Sequence, residues 1–290
     1  IKEFFTQGDL SNPSPQTNPV EMLGEWRKTT IAGTGGIQSE HAITYKTRDV
    51  HPSHLGFLDP INTPESGKVG VTLPLAFHVR KEGDDIKTPI VKLDGKESYV
   101  TPSEFYKMKI GFPDQHNAGK AKHATVKAMY RGEATMLKPE EVEAYITHPN
   151  DMFAWTTNLV PFLGNNSANR ALVAAKMVTQ SVPLKNPESP LVQVVSETGE
   201  PMDQALGDYL KPKAPPDIGP SVVTAIDNNY ITIKDKKGRT DRIGLYKDFP
   251  LNQESFLHST PIVSVGDVVQ PLQAVANINF NDSSGQFAPG

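Results

Sequence analysis

The sequence contains no cysteine among its 290 residues. This absence excludes disulfide bonds, thiolate metal sites and cysteine nucleophiles. It also agrees with a reducing compartment such as the cytoplasm, where disulfides are rare.

Long apolar runs and an excess of positive charge are also missing. No stretch approaches the ~20 consecutive apolar residues that a transmembrane helix needs. The first residues do not form a secretory signal, although the sequence begins with Ile and not Met. The formal net charge is −4, so contacts with nucleic acid must come from local basic patches. We expect no membrane partner.

Turn-forming residues, in contrast, are plentiful, with 25 prolines and 22 glycines. Hydrophobic residues make up 37% of the sequence, so the chain is expected to fold and not to be globally disordered. At 290 residues it can bury a substantial core and form two or three domains. The composition predicts an irregular, strand-rich architecture.

The most informative stretch is residues 160–184. A short apolar run that ends at Leu163 predicts a buried strand, and Gly164-Asn165-Asn166 predicts a turn. Ser167 is a suitable N-cap, and the spacing of apolar residues predicts a helix over residues 168–180.

Arg170 falls in the first turn of that predicted helix. Unpaired N–H groups and the positive end of the helix dipole attract anions there, and a guanidinium can hold two oxygens at once. The pattern therefore predicts a phosphate site. The alternative is an arginine on a solvated helix face.

Other stretches indicate contacts or turns without a catalytic constellation. Arg27-Lys28-Thr29-Thr30 precedes a glycine-rich turn and could grip a nucleic-acid backbone, although the stretch taken alone fits a loop with two solvated charges better. Its glycines match neither standard phosphate-loop spacing. His51 and His54 flank a proline without a third ligand nearby, so we expect no metal site. The prolines of residues 60–67 predict a rigid, extended loop.

Residues 72–150 resemble an inserted module. We predict strands over residues 75–79 and 90–93, a helix capped by Thr101, and a short helix over residues 139–145. Residues 116–132 are predicted to be a loop followed by a strand. The basic side chains in that part are Lys120, Lys122, Lys127 and Arg131.

The C-terminal part is predicted to be rich in strands. Residues 191–195 are apolar and β-branched, and residues 221–226 and 230–234 form a hairpin pattern. The valines around Gly266-Asp267 indicate a small barrel or sandwich. The pattern also looks like a lipoyl or biotinyl carrier domain, but no Lys follows Lys247 to act as an acceptor. We therefore reject the carrier function but still predict a barrel-sandwich fold for this part.

Several stretches match one family in order. They read IKEFF…DLS…QTNP…GTGGI (residues 1–37), RDVHPSH (48–54), PINTPE (60–65), VPFL…ANRAL…M…Q.VPL (160–184) and NQ…P.V..GD.V (252–269). On these motifs the sequence resembles the central part of the β subunit of bacterial-type multisubunit DNA-directed RNA polymerase. The resemblance is weakest over residues 72–130 and 196–220.

The resemblance implies roles for individual residues. Arg170 would contact the triphosphate of the incoming nucleotide, and Gln180 would approach the RNA strand of the RNA–DNA hybrid. Pro64 and Glu65 would lie on the fork loop beside the nucleotide. The residues implied to lie along the RNA behind the active centre are Gln16, Asn18, Arg27 and Lys28.

The resemblance also implies a mixed α+β, strand-rich fold with four segments. These are a fork-like segment with short helices (1–71), a small inserted external α+β module (72–150), a helix entering the hybrid-binding barrel (151–195) and the start of a β-barrel or barrel-sandwich hybrid (196–290).

The implied cofactor is Mg²⁺, held in the assembled enzyme by a triple-aspartate motif of the other large subunit and not by this chain. The implied partners are the other polymerase subunits (β′-like and further β-like chains), template DNA, transcript RNA and nucleoside triphosphates. We expect the chain to be inactive alone. Its expected location is the cytoplasm, at the nucleoid or in the host of a phage.

Some positions depart from the family. Pro15 stands where most bacterial members have a carboxylate in the rifampicin pocket, Glu25 where they have His, and Lys28 where they have Arg. The family has a run of acidic residues where this sequence has Gly164-Asn165-Asn166-Ser167. The last acid of that run has a role in transcription fidelity in the family, and the present sequence has no acidic residue to perform it. These changes predict a divergent enzyme that is insensitive to rifampicin, as in a large phage with a split β subunit.

Two other classes of function stay open. One is a stand-alone, non-catalytic nucleic-acid-binding module derived from the polymerase β fold. The other is a scaffold whose barrel only packs against neighbours. Co-purification separates them, since a polymerase segment should be isolated with a larger chain that carries the triple-aspartate motif.

Overall fold

The computed structural model describes residues 13–33, 35–113, 125–196 and 199–288. Predictions that involve residues 1–12, Thr34, Lys120 or Lys122 lie outside these ranges. The chain forms two compact units. Unit A is Trp26–Lys176, and unit B combines Ile1–Glu25 with Met177–Gly290. The predicted division into four segments is finer than this and stays a prediction.

Helices are short in the described residues. The α-helices are α1 (Pro19–Trp26), α2 (Tyr45–Arg48), α3 (Pro102–Lys107), α4 (Trp155–Asn158), α5 (Ala168–Thr179) and α6 (Met202–Leu210). The 3-10 helices are Glu40–Ala42, Pro52–His54, Pro139–Glu141, Pro149–Met152 and Leu163–Asn165.

Most strands are short as well. Those of unit A are β1 (Lys28–Thr30), β2 (Thr72–Pro74), β3 (Arg80–Glu82), β4 (Asp85–Lys92), β5 (Glu97–Val100), β6 (Ile110–Gly111), β7 (Val126–Tyr130), β8 (Glu133–Leu137) and β9 (Ala144–Ile146). Those of unit B are β10 (Ser221–Ile226), β11 (Tyr230–Asp235), β12 (Thr240–Gly244), β13 (Phe249–Pro250), β14 (Phe256–Leu257), β15 (Ser259–Pro261), β16 (Val268–Val269) and β17 (Ala276–Ile278).

Unit A is organised around a seven-stranded sheet with the order β3-β4-β9-β6-β7-β8, in which β5 also pairs with β4. Strands β6 and β9 pair in parallel, and the other ladders of this sheet are antiparallel. Ile90, Ile110 and Ile146 are fully buried in its core. The predicted cap of α3 is confirmed, because the Thr101 hydroxyl and the Glu104 carboxylate each bond to the other's backbone N–H.

Unit B contains an open four-stranded antiparallel sheet with the order β12-β11-β10-β16. Its buried face includes Val223, Ile231 and Ile233. The predicted hairpin of residues 221–234 is therefore confirmed. The predicted fold class, mixed α+β and strand-rich, is confirmed too, although the described residues form no closed barrel.

Helix α6 of unit B was not predicted from the sequence. Its Gly207 lies against the chain near residues 285–287, where an added Cβ would be 2.5 Å from the carbonyl oxygen of Gly285 and 2.8 Å from the backbone nitrogen of Phe287. Glycine is therefore required for the close approach of this helix to the backbone.

The helix predicted for residues 168–180 is confirmed as α5, but the strand predicted before it is wrong. The short helix α4 ends at Asn158, and turns lead to the 3-10 helix Leu163–Asn165. Phe162 takes a left-handed conformation with φ 55° and is exposed. Leu159 and Val160 are buried as expected for apolar residues, but they lie in a turn.

Three other predicted elements are wrong. Residues 75–79 form a turn between β2 and β3, and residues 139–145 form a 3-10 turn followed by β9. Residues 191–195 form only one isolated bridge, between Val195 and Pro201, and Leu191 is completely exposed. A β-branched run needs a neighbouring strand to become part of a sheet, and the described residues offer none there.

No helix in the described ranges combines the length and the hydropathy that a bilayer crossing requires.

Candidate functional site

The first turn of α5 presents Arg170 to solvent. The backbone N–H groups of Arg170 and Ala171 both donate to the carbonyl oxygen of Ser167, each at 3.0 Å. The side-chain amide of Asn166 donates to the carbonyls of Pro161 and Phe162 and fixes the turn before the helix. Arg170 is exposed, and no side chain among the described residues pairs with its guanidinium. The cation is therefore available to an anionic ligand.

The loop that carries Pro64 and Glu65 is held by a buried carboxylate at its base. Asp59 is fully buried and accepts hydrogen bonds from the backbone N–H of Ile61 at 2.7 Å and of Ala154 at 2.9 Å. The hydroxyl of Thr157, in α4, donates to the same carboxylate. Burial raises the pKa of Asp59, and these hydrogen bonds act in the opposite direction.

A second link ties this loop to α4. The side-chain amide of Asn62 donates to the Thr156 hydroxyl at 2.8 Å. Together with Asp59 it anchors the loop to α4, and the rigidity expected from the prolines stays a prediction.

Glu65 and α5 are connected within unit A. The Oε2 atom of Glu65 lies 3.6 Å from Nζ of Lys176. Glu65 is mostly exposed, so the ion pair contributes only about 0–1 kcal/mol to stability. It nevertheless shows that the structure brings the Pro64-Glu65 loop to α5, the helix whose first turn carries Arg170.

Arg27 and Lys28 lie at the start of β1 and differ in their surroundings. Nη2 of Arg27 donates to the carbonyls of Ala76 at 2.6 Å and of Phe77 and Val79 at 3.2 Å each. The guanidinium thereby holds the turn between β2 and β3. Lys28 is exposed on β1. Their contacts with RNA stay predictions.

In unit B, Asn18 is fully buried between two helix ends. Its side-chain oxygen accepts from the N–H of Glu21, which caps α1, and its amide group donates to carbonyls of Val178, Thr179 and Ser181 at the end of α5. A fully buried side chain can influence RNA only through the backbone that it positions.

Gln16 and Gln180 also lie in unit B. The Gln16 side-chain oxygen accepts from the backbone N–H of Asn252 at 3.3 Å. Gln180 is exposed directly after α5. Both side chains remain candidates for RNA contacts.

His51 and His54 lie on either side of Pro52 and Ser53 at a 3-10 helix. The rings of His51 and His54 have centroids 6.1 Å apart, and Nδ1 of His51 bonds to the Ser53 hydroxyl at 2.7 Å. Across the described ranges, no group of three or more His, Asp or Glu side chains could hold a metal ion.

Comparison with known proteins identifies relatives of this chain. A family model described as RNA polymerase Rpb2, domain 3, matches residues 13–80. The DNA-directed RNA polymerase subunit beta of Gloeobacter violaceus is 34% identical over 305 residues, which cover 100% of this chain and 26% of that protein. The chain is related to the β subunit of DNA-directed RNA polymerase.

Other β subunits are similar to this chain to the same degree. The protein of Thermosynechococcus vestitus is 34% identical over 100% of this chain and 26% of its own length, and that of Synechococcus sp. (strain CC9605) is 33% identical over 96% and 25%. The chain spans about a quarter of the length of the β subunits that it matches. The resemblance recognised from the motifs is confirmed.

Sequence reasoning missed two residues that support this region of the chain. Asp59 escaped notice because its partners Ala154 and Thr157 are 95 and 98 positions away. The double capping role of Asn18 was missed for the same reason, although an Asn directly before the Pro that starts α1 is a recognisable N-cap signal.

Proposed function

We propose that this chain is part of the β subunit of a multisubunit DNA-directed RNA polymerase. In that enzyme it contributes to the walls that bind the nucleotide and the RNA–DNA hybrid during templated RNA synthesis. The observation that carries the proposal is the 33–34% identity to β subunits over 96–100% of the chain. The exposed Arg170 at the start of α5 is consistent with it.

Arg170 would act on the triphosphate of the incoming nucleotide. A guanidinium binds two phosphate oxygens through parallel N–H donors, and the first turn of a helix adds its own positive potential. Phosphoryl transfer depends mainly on positioning and on electrostatic stabilisation of the transferred group. Arg170 would supply both without taking part in bond formation.

The Pro64-Glu65 loop would border the nucleotide. Its base is fixed by Asp59, and its tip contacts α5 through the Glu65–Lys176 ion pair. A loop held at both points can present backbone and side-chain groups with little loss of entropy on binding.

Other side chains of the chain would contact RNA. Lys28 and Gln180 offer exposed side chains, Arg27 and Gln16 offer the parts of their side chains that protein contacts leave accessible, and Asn18 would act by positioning.

The reaction of such polymerases requires metal ions that stabilise the attacking and leaving oxygens. Described side chains of this chain do not form a cluster suited to hold one. We therefore propose that Mg²⁺ is bound by another subunit, and we assign this chain only positioning and charge stabilisation. The partners would be the remaining polymerase subunits, DNA, RNA and nucleoside triphosphates, in the cytoplasm. A phage origin would account for the divergent residues.

Isolation of the native complex tests the proposal. A tagged chain should co-purify with larger polymerase chains and support templated RNA synthesis that requires all four nucleoside triphosphates. A chain that is isolated alone, without partner subunits, contradicts the proposal.

Arg170→Ala in that complex tests the site. The loss of a charge-assisted contact, ~1.5–3 kcal/mol, should raise the KM for nucleotides about ten- to a hundred-fold. Arg80→Ala is the matched control, since Arg80 is an exposed cation placed 4.5 Å from the Tyr99 ring in the same unit. Equal KM values for the two variants would remove Arg170 from the nucleotide site.

A further inference from the structure

Unit A has a surface cavity of about 460 Å³ that is separate from the site described above. It is bounded by α3, by the tip of the β7–β8 hairpin and by the turn that contains Ser53. Its walls include Tyr106, Lys107, Tyr130 and Arg131. The volume lies in the ~300–1,000 Å³ range of pockets that bind small ligands.

The hairpin tip is held firmly in place. Arg131 and Gly132 form the two-residue turn between β7 and β8, with φ values of 52° and 76°. The backbone N–H of Arg131 donates to the carbonyl oxygen of Tyr106 at 3.2 Å. A Cβ atom on Gly132 would lie 2.9 Å from the His51 ring, so the turn packs tightly against His51. The position of Arg131 is therefore preorganised.

Arginine is an unexpected residue in this turn. Positive φ at both central positions is typical of the type I′ turn, which favours Asn-Gly, Asp-Gly or Gly-Gly. A long side chain at the first position is strained there, and such strain concentrates at functional sites. An asparagine would suit the backbone conformation of residue 131 better. The presence of arginine therefore suggests that its side chain has a function.

The cavity combines unpaired cations with aromatic rings. The guanidinium carbon of Arg131 lies 5.1 Å from the centre of the Tyr130 ring. Nζ of Lys109 lies 5.7 Å from the centre of the same ring, but it also forms an ion pair with Oε1 of Glu141 at 3.8 Å. Among the described residues, no carboxylate forms an ion pair with Arg131 or Lys107.

The aromatic wall is open to solvent on one side. Tyr106 is 51% exposed, although it is a large ring at the edge of a cavity. The Glu104 carboxylate is hydrogen-bonded to Thr101, and its charge also interacts with Lys107 without a close ion pair. The site therefore offers a half-exposed aromatic ring beside two cations.

We propose that this cavity binds single-stranded nucleic acid. A phosphate would contact Arg131 and Lys107, and a base would stack on Tyr106. Sequence-tolerant binding of single strands uses this combination of backbone-tracking cations and stacking rings. An acidic peptide would use the cations but would leave the aromatic ring without a function. The site is independent of the nucleotide contact proposed for Arg170.

Binding of a fluorescent single-stranded 12-mer to the full chain tests the proposal. The comparison is made in an Arg170→Ala background, so that the proposed nucleotide contact does not contribute. Arg131→Asn should weaken binding at least five-fold. It should also reduce the steepness of the plot of log K against log salt concentration by about 0.7, the value for one phosphate contact with a single strand. Its thermal stability should stay equal or rise, because Asn suits the turn.

Arg242→Asn is the matched control. Arg242 also lies over a tyrosine, 5.9 Å from the Tyr230 ring, but in unit B and outside the cavity. It should bind like the parent. Equal affinities of the Arg131→Asn and Arg242→Asn variants would overturn the proposal.

Tyr106→Leu separates nucleic acid from an acidic peptide. It keeps both cations and should weaken binding of the 12-mer at least three-fold. If Tyr106→Leu leaves binding unchanged and a poly-glutamate peptide competes as well as the unlabelled 12-mer, the cavity is a polyanion site and the proposal is wrong.

Discussion

The side-chain amide of Asn18 lies 3.0 Å from the carbonyl oxygen of Thr179, the last residue of α5. The same amide group reaches the carbonyl of Ser181 at 2.9 Å, and its oxygen accepts from the N–H of Glu21 at 2.9 Å. One buried side chain thus satisfies the end of one helix and the start of another, where backbone groups would otherwise lack partners.

We predict that Asn18→Ala destabilises the chain by roughly 2–4 kcal/mol. About 1 kcal/mol comes from the lost N-cap and the rest from buried carbonyls left without a donor. Urea unfolding measures the change. Asn18→Asp keeps the N-cap acceptor but places a carboxylate against carbonyl oxygens, so it should be more stable at pH 4 than at pH 7. A loss below about 0.5 kcal/mol for Asn18→Ala would contradict the capping role.

Asp59→Ala is expected to release the loop that carries Pro64 and Glu65. The substitution leaves buried N–H groups of Ile61 and Ala154 without an acceptor, at a cost of roughly 2–4 kcal/mol. Limited proteolysis should then cut within residues 60–67 faster than in the parent chain. Glu65→Ala, which removes only the exposed ion pair, serves as the control and should change stability by less than about 1 kcal/mol. Unaltered proteolysis in Asp59→Ala would show that other contacts fix the loop.

Asp203, in the first turn of α6, should make stability depend on pH. Burial raises its pKa from 3.8 to about 6; its own backbone N–H opposes the rise and the charge of Asp282 adds to it. Between these values the folded chain keeps a proton that the unfolded chain has released. The contribution of Asp203 to stability therefore falls as pH increases from about 4 to about 6 and is constant above that.

Asp203→Asn tests this pH dependence. The variant should have a Tm close to that of the parent at pH 4 and a higher Tm above pH 6. Asp217→Asn is the control: a hydrogen bond from Arg239 lowers the pKa of Asp217, so this substitution should act in the opposite direction. A Tm difference between Asp203→Asn and the parent that does not change with pH would be evidence against a shifted titration.

If the chain is part of a polymerase as proposed, the assembled enzyme should resist rifampicin. The resemblance implies that Pro15, Glu25 and Lys28 replace three side chains of the drug pocket that most bacterial members have. A lysine lacks the bidentate geometry of arginine, and proline has no side-chain hydrogen bond to offer. Transcription should continue at drug concentrations that stop a bacterial polymerase assayed in parallel. Inhibition of both enzymes at the same concentration would show that these positions do not determine binding.

Local signals in the sequence predicted the elements that local contacts build. Ser167 and the apolar spacing after it predicted α5 to within one residue, and Thr101 and Glu104 predicted the start of α3. The β10–β11 hairpin followed from its alternating pattern and turn. In each case the partners are close in sequence, so a short window contains the relevant interactions.

Elements that depend on distant contacts were not predicted. Residues 191–195 look like a strand, but strand formation requires a partner that only the tertiary structure can supply. The interior glycine of α6 disfavours a helix locally, yet Gly207 is needed for contact with Gly285. For the candidate site, the sequence indicated Arg170 and the rigid loop. The supports of that loop, Asp59 and α4, appear only in the structure.

The parallel pairing of β6 with β9 has a consequence for folding. Strand β9 is the last of its sheet in the chain, but it lies between β4 and β6. The hairpins β3–β4 and β7–β8 can form early from neighbouring residues, whereas β9 must close a loop that includes β6 to β8 before it can pair. The two halves of the sheet therefore join only when residues 144–146 have been synthesised and inserted, so a nascent chain that stops before them has two unpaired strand edges.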